Sequence, residues 1–239
     1  ATKDEKDTTR ARANALREFL TNSDKTNRFD HEELKSAFDL CLSCKACASE
    51  CPSNEDVSAL KAEFLYNYQE ANGYSLRSKL FAHNTQLNAL GSKVSGITNW
   101  MYESKVMGGM LKKAVGVAPE RNLPKVGRFN FEEHLKANLG QLKEVSKRPV
   151  VLYIDEFVKY LDIQVGKDAI ELLCKLGYDV ELFYGESGRT YLSKGFLKQA
   201  KKLVQKNMEN LKDILGAGTP IVGLEPSAIL SFRDEYQRL

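Results

Sequence analysis

Hydrophobic positions keep a helical period as far as Leu111 and change to short apolar runs after Arg148. Ala13, Leu16, Phe19 and Leu20 recur at helical spacing, so residues 1–22 read as an exposed start followed by a helix. Arg10, Arg12 and Arg17 lie around that helix, as a solvated face or a surface for a charged partner. A polar linker runs from Asn22 to Arg28. Asp30-His31-Glu32-Glu33 then opens a second helix, with Asp30 as cap and Glu33 reaching back to it as a capping box. Its apolar stripe is Leu34, Ala37, Phe38 and Leu40, so its C-terminal end runs into Cys41. A third helix starts near Glu55-Asp56, where the helix dipole favours acidic side chains. It buries Val57, Leu60, Phe64, Leu65 and Tyr68 and ends before Asn72-Gly73. Residues 76–117 read as helix broken at Gly91, Gly96 and Gly108-Gly109. Residues 118–148 hold Pro119, Pro124 and much charge, and read as an irregular linker with a short helix near Phe131–Leu142.

Beyond Arg148 the pattern becomes β-α-β-α-β. Val150–Ile154, Val180–Phe183 and Pro220–Leu224 read as strands, with helices at about 166–176 and 190–214 between them. Ala169, Ile170, Leu173 and Leu176 stripe the first helix, which stops at Gly177. Leu197, Leu203, Val204, Leu211 and Ile214 stripe the second. The alternation predicts a small parallel sheet with flanking helices, an α/β domain over 149–239. Ligands in such sheets sit outside the carboxyl ends of the strands. Those ends carry Asp155-Glu156, Gly185-Glu186-Ser187-Gly188-Arg189 and Glu225-Pro226-Ser227.

The chemistry concentrates between the second and third helices. Cys41, Cys44, Cys47 and Cys51, followed by Pro52, are spaced C-x2-C-x2-C-x3-C-P, which presents thiolates to an iron–sulfur cluster. Zinc is the alternative metal, although zinc sites separate two C-x2-C pairs by a longer loop. A site without metal is the third reading. In two-cluster proteins with this run the fourth cysteine ligates the other cluster. A second motif is absent from this sequence, so either Cys51 completes the same cluster or its partner motif lies outside the chain. Trp100, Met101, Val106, Met107, Met110 and Leu111 read first as core, with a cluster cover or protein contact as the alternative. Cys174 reads as a buried structural residue. The Gly185–Thr190 segment is not a Walker loop, because Arg189 and not Lys follows Gly188. It is an ordinary turn or an anion or partner site, with Ser187, Gly188 and Arg189 at a helix start and Glu225 and Ser227 at the next strand end. His31, His83 and His134 have no ligand spacing, and no nucleophile–base pattern appears.

Composition narrows the setting. An apolar fraction of 42 % over 239 residues suits a soluble globular chain of one large or two small domains. No apolar run reaches the about 18 residues of a membrane span, and no signal-peptide pattern opens the chain. The net charge of +3 gives nucleic-acid binding no support. Residues 61–148, however, carry 14 basic against 7 acidic side chains. That belt suits a solvated surface, an acidic protein or anionic lipid. Clustered cysteines differ from the spread ones of secreted frameworks and fit a reducing, cytoplasmic setting. The chain begins at Ala1 without methionine, as a processed or excised piece would.

Cys41–Pro52 together with Ala59-Leu60-Lys61-Ala62-Glu63-Phe64-Leu65 resembles the iron–sulfur part of FAD-linked 2-hydroxy-acid dehydrogenases, which oxidise D-lactate, glycolate and D-2-hydroxyglutarate. The related iron–sulfur subunits of glycolate oxidase and anaerobic glycerol-3-phosphate dehydrogenase share the motif. Thr8–Arg17 resembles the segment between that family's two cysteine motifs, Val117–Pro124 its linker, and Gly188–Gly195 and Gly223–Ser227 its C-terminal cysteine-rich (CCG-type) domain. The resemblance implies an α-helical ferredoxin-like domain over 1–117, a linker over 118–148 and half of a cysteine-rich domain over 149–239. It also implies a first cysteine motif before Ala1, an FAD-binding domain further upstream and a continuation after Leu239, so that this is an interior fragment. The implied function is electron transfer through a [4Fe–4S] cluster, incomplete or lost in an isolated piece. FAD belongs to the parent protein, in the same polypeptide or complex, and the fragment alone is not expected to be catalytic. Peripheral contact with the cytoplasmic face of a membrane is a further expectation. Glu186 and Ser187 stand where many relatives have paired cysteines, and Ala228 where relatives often have another, so the family's cysteine chemistry is not implied for that half. The rival reading is a non-redox module holding zinc or a structural cluster.

Overall fold

The computed structural model of the protein describes residues 3–52, 55–139 and 148–239. The helices run α1 Thr9–Asn22, α2 Glu32–Asp39, α3 Ala46–Glu50, α4 Val57–Asn72, α5 Leu76–Ala82, α6 Asn84–Lys93, α7 Ser95–Glu103, α8 Lys105–Val115 and α9 Phe131–Leu139. Then follow β1 Arg148–Ile154, α10 Glu156–Tyr160, α11 Ile163–Lys175, β2 Tyr178–Tyr184, α12 Arg189–Ser193, α13 Leu197–Gly216, β3 Ile221–Gly223 and α14 Pro226–Asp234. The class is mixed: mostly helix with one three-stranded parallel sheet ordered β2-β1-β3. Among the described residues no helix is long and apolar enough to cross a membrane.

The chain divides into two compact units, one of residues 1–82, 189–201 and 239, the other of 83–188 and 202–238. These boundaries differ from the expected breaks near 117 and 149. Helix α6 packs on α10, so 84–115 go with the sheet, and α12 packs on α4 and α5, so 189–201 go with the first helices. The expected linker is pinned as well: Asn99 exchanges two 2.9 Å bonds with the backbone of Val126, which is buried. The expected helix end at 140–142 lies outside the described residues.

Within the first unit, Leu16, Leu34, Phe38, Val57 and Phe64 form the core, with the Phe38 and Phe64 rings stacked at 5.4 Å. The capping box does not form. His31 is the N-cap of α2 and makes no side-chain cap bond, while Asp30 accepts from Asn72 at 2.5 Å and faces Lys25 at 3.9 Å. The polar end of α4 and a lysine thus take the carboxylate that would have capped. The expected long helix at 190–214 is two, α12 and α13. Gly195 separates them at φ +71°, and a Cβ there would stand 2.6 Å from Leu65 Cβ. Only glycine lets this turn lie against α4.

In the second unit β1 is buried from Val150 to Ile154, and its side chains alternate between two cores. Val150, Leu152 and Ile154 face Phe131 and Leu135 of α9, Val158 of α10 and Ile170 and Cys174 of α11. Val151 and Tyr153 face Phe183, Leu211 and Ala228. Each fully buried aliphatic side chain here contributes about 1.5–3 kcal/mol. Helices α6–α8 correct two expectations. Gly91, Gly96, Gly108 and Gly109 lie inside helices, and the breaks fall at His83, Val94 and Ser104. A Cβ on Gly108 would meet the Tyr102 carbonyl oxygen at 2.5 Å, so that glycine serves close packing. Trp100, Val106, Met107 and Met110 are exposed, not core, because these helices bury small and polar residues instead: Thr85, Ser92, Thr98 and Gly108.

Candidate metal centre

The cysteines lie between α2 and α4 as the expected helix order requires, partly on an irregular segment and partly in a short helix. Helix α2 ends at Asp39, and the Cys41 N–H donates to the Phe38 carbonyl at 3.0 Å. Cys41 and Cys44 lie on the irregular segment, while Cys47 is in α3 and Cys51 caps its C-terminal end, donating its N–H to the Cys47 carbonyl at 2.9 Å. That spacing sets Cys47 and Cys51 on one helical face. Cys41 and Cys47 pack against the Phe38–Phe64 core, Cys44 is exposed, and none of the four is in a disulfide.

The backbone between these thiols is unusual. Among the described residues other than glycine, positive φ occurs at Lys3, Ser43 (+53°) and Lys45 (+64°). Left-handed backbone costs a side-chain-bearing residue roughly 1–2 kcal/mol, so two such residues flanking Cys44 need outside support. Two cations from two other elements bond to this segment, and a third bonds to α2 just before it. Arg12 of α1, buried, donates from Nε to the Ala37 carbonyl at 2.9 Å. Lys61 of α4 donates from Nζ to the Cys41 carbonyl at 2.5 Å. Arg189 of α12 donates from Nη2 to the Ser43 carbonyl. Burial pushes the Lys61 ammonium below its ordinary value, with Cys41 and Asp39 opposing and Lys194 and Arg12 adding to the shift. Gln69 of α4, also buried, donates to the Lys194 carbonyl at 2.8 Å and fixes α12 to α4.

Of the five residues read as an anion or partner site, Arg189 lies in the first unit and Ser187, Gly188, Glu225 and Ser227 in the second. Arg189 belongs to the first unit and holds the cysteine segment. Gly188 provides a turn at φ +77°. Ser187, fully buried, gives its N–H and hydroxyl to the Glu156 carboxylate at 2.7 and 2.6 Å. Glu225 is the N-cap of α14 and accepts from the Ala228 N–H and the Ser227 hydroxyl at 2.7 and 2.6 Å. The turn therefore binds a carboxyl group through Ser187, the chain's own Glu156. Around it the Tyr153 hydroxyl donates to the Gly185 carbonyl, and the Tyr236 hydroxyl donates to the Ser187 carbonyl and accepts from the Asn207 amide. Burial pushes Glu156 up to about 7 against the pull of Ser187. Burial raises Asp155 too, although its Oδ1 accepts from the Phe157 and Val158 N–H groups. Asp155 Oδ2 is buried without a partner among the described residues. The roles of Arg12 and Lys61 left no sequence signal: a cation bonding a remote carbonyl has no spacing rule.

Known proteins match this chain over most of its length. D-2-hydroxyglutarate dehydrogenase of Haemophilus influenzae is 31% identical over 217 residues, 87% of this chain and 21% of that protein. The Escherichia coli K12 enzyme of the same name is 31% identical over 218 residues, with the same coverage. The chain is homologous to one segment of these dehydrogenases. It spans about a fifth of their length, and the anticipated resemblance is borne out. A subunit of the anaerobic glycerol-3-phosphate dehydrogenase of E. coli K12 is 27% identical over 165 residues, 68% of this chain and 41% of that protein. No protein-family model and no solved structure matches.

Against this homology the donor set suits a thiolate-ligated cluster: four thiols in eleven residues, none in a disulfide, on a segment whose left-handed turns are held from outside. Among the described residues no three Cys, His, Asp or Glu side chains are gathered closely enough to hold a metal ion. The fit therefore rests on donor chemistry and backbone support.

Proposed function

We propose that this chain relays electrons through a [4Fe–4S] cluster held by Cys41, Cys44, Cys47 and Cys51, as part of a flavin-linked oxidoreductase acting on a 2-hydroxy acid. The observation that carries the reading is the cysteine segment itself, four unpaired thiols on a polar-clamped turn in a relative of D-2-hydroxyglutarate dehydrogenases. A bound cluster supplies one-electron redox chemistry. The chain's own residues supply the setting. Phe38 and Phe64, behind Cys41 and Cys47, keep water from that side. Cys44, exposed, leaves the opposite side open to a donor or acceptor. Cys51, one helical turn after Cys47, is placed either to complete the same cluster or to serve a neighbouring one. The reading needs an FAD-binding domain in the same polypeptide or complex, a separate electron acceptor, and a cytoplasmic setting that keeps thiols reduced.

Anaerobic reconstitution with ferrous iron and sulfide, followed by dithionite reduction and EPR, tests the proposal. A reducible iron–sulfur signal with about four irons per chain is expected. Stoichiometric zinc with no paramagnetic signal would replace the relay by a structural zinc module.

A further inference from the structure

Arg189 lies 146 residues from Ser43 in sequence, and Lys61 lies 20 residues from Cys41, yet both bond to carbonyls of the same short turn. Each comes from an element with its own reason to be there. Lys61 sits in α4, whose Phe64 forms the core behind Cys41 and Cys47. Arg189 opens α12, which α4 fixes through the Gln69–Lys194 bond and the close approach at Gly195. A surface salt bridge would leave such side chains mobile. Here Lys61 is half-buried and, among the described residues, no carboxylate lies within ion-pair distance of its ammonium. Arg189 brings the positive charge of its guanidinium to the turn.

We propose that Arg189 and Lys61 are positioning residues for the thiolate site. They hold the left-handed turn that carries Cys44 and place positive charge beside it, which raises the cluster's reduction potential. This rests on the electron-relay reading above and assigns two residues to that same site. A reduced cluster carries one more negative charge than an oxidised one, so nearby cations favour the reduced form. Hydrogen bonding and charge around sulfur ligands are the protein's levers on potential. The clamp also restrains the turn before any cluster arrives, so it acts on retention as well as on potential.

The test compares the reconstituted chain with Lys61→Met, Arg189→Gln and the conservative Lys61→Arg and Arg189→Lys. Two quantities are read: the midpoint potential by EPR-monitored redox titration, and the rate of iron loss to a chelator under anaerobic conditions. Lys61→Met and Arg189→Gln should each speed iron loss by about 10-fold, the low end for lost outer-shell partners. Each should also shift the potential to more negative values, and the charge-keeping variants should restore the potential. Unchanged potential and retention in both neutral variants would overturn the inference. So would faster iron loss at an unchanged potential, because that is what a purely mechanical clamp gives. Should either neutral variant fold poorly, the conservative pair decides: potentials within error of the parent support the charge role, and potentials more negative than the parent's refute it. If the parent chain takes up zinc and no reducible cluster, it is the electron-relay reading that fails.

Discussion

Residues 41–51 and the strand-end network at 153–156 and 185–187 both concentrate polar groups, but they use them differently. Around the cysteines the charged side chains reach outward to backbone carbonyls, and the four thiols are tied into no disulfide. At the strand ends most polar groups satisfy one another, Glu156 with Ser187, Tyr236 with Ser187 and Asn207, Tyr153 with Gly185, while among the described residues Asp155 Oδ2 has no partner. The position where α/β proteins take a ligand is thus filled from within. The difference separates a site from a scaffold. Ligating groups remain available where the surrounding polar side chains support the backbone, and they disappear where those side chains pair with each other.

The largest expected effects come from cutting each region's core. Phe38→Ala should cost about 3–5 kcal/mol and Leu152→Ala about 2–5 kcal/mol, since both side chains are fully buried. Urea unfolding followed by far-UV circular dichroism measures both. Iron retention below the unfolding transition should fall with Phe38→Ala and stay at the parent level with Leu152→Ala. Equal losses in the two variants would mean that the cysteine site depends on the sheet as much as on its own core.

The next effect is the pH dependence of the closed network. Glu156 has a folded value of about 7 against an ordinary 4.5, because burial disfavours its charge. A group whose folded value is raised holds its proton more tightly when folded. Its stabilisation is fully present below about 4.5 and is lost as pH climbs to about 7, on the order of 3 kcal/mol in all. Asp155, also raised by burial, adds a loss of the same sign. Urea midpoints taken between these pH values should therefore fall, and Glu156→Gln should make the decline shallower. The same slope in parent and variant would remove Glu156 from the account.

The sequence showed the elements whose residues are determined locally and hid those that depend on distant partners. The β-α-β-α-β half was legible because Val150–Ile154 is buried on both faces, and an uninterrupted apolar run can be little else at that length. Val57–Asn72 was legible from its apolar stripe and from the acidic Glu55-Asp56 start, where Asp56 serves as the cap through the Ser58 and Ala59 N–H groups. The cap at Asp30 was misread because Asn72 competes for the carboxylate, and Asn72 is 42 residues away. Trp100, Met107 and Met110 were misread as core because helical periodicity marks a face without saying which way it turns. The thiols of the candidate site were visible as a motif. The role of the cations around them was not, since each meets its carbonyl only through tertiary packing.

The smallest effect probes the turn itself. Lys45 adopts φ +64° at the N-cap of α3, a position where glycine is also well tolerated. Lys45→Gly removes a left-handed penalty of about 1 kcal/mol from the folded state, and the greater freedom of glycine in the unfolded chain returns part of it. A rise of a few tenths of a kcal/mol in unfolding free energy is therefore expected, read as a small increase in urea midpoint. Iron retention should fall at the same time, because a glycine at this point lets the segment leave the conformation that the Arg189 and Lys61 bonds hold. Stability and retention moving in opposite directions would show that the left-handed turn is kept for the thiolates it positions. If both rise together, the turn is a strained connection and nothing more, and the contrast with the strand-end network loses its functional meaning.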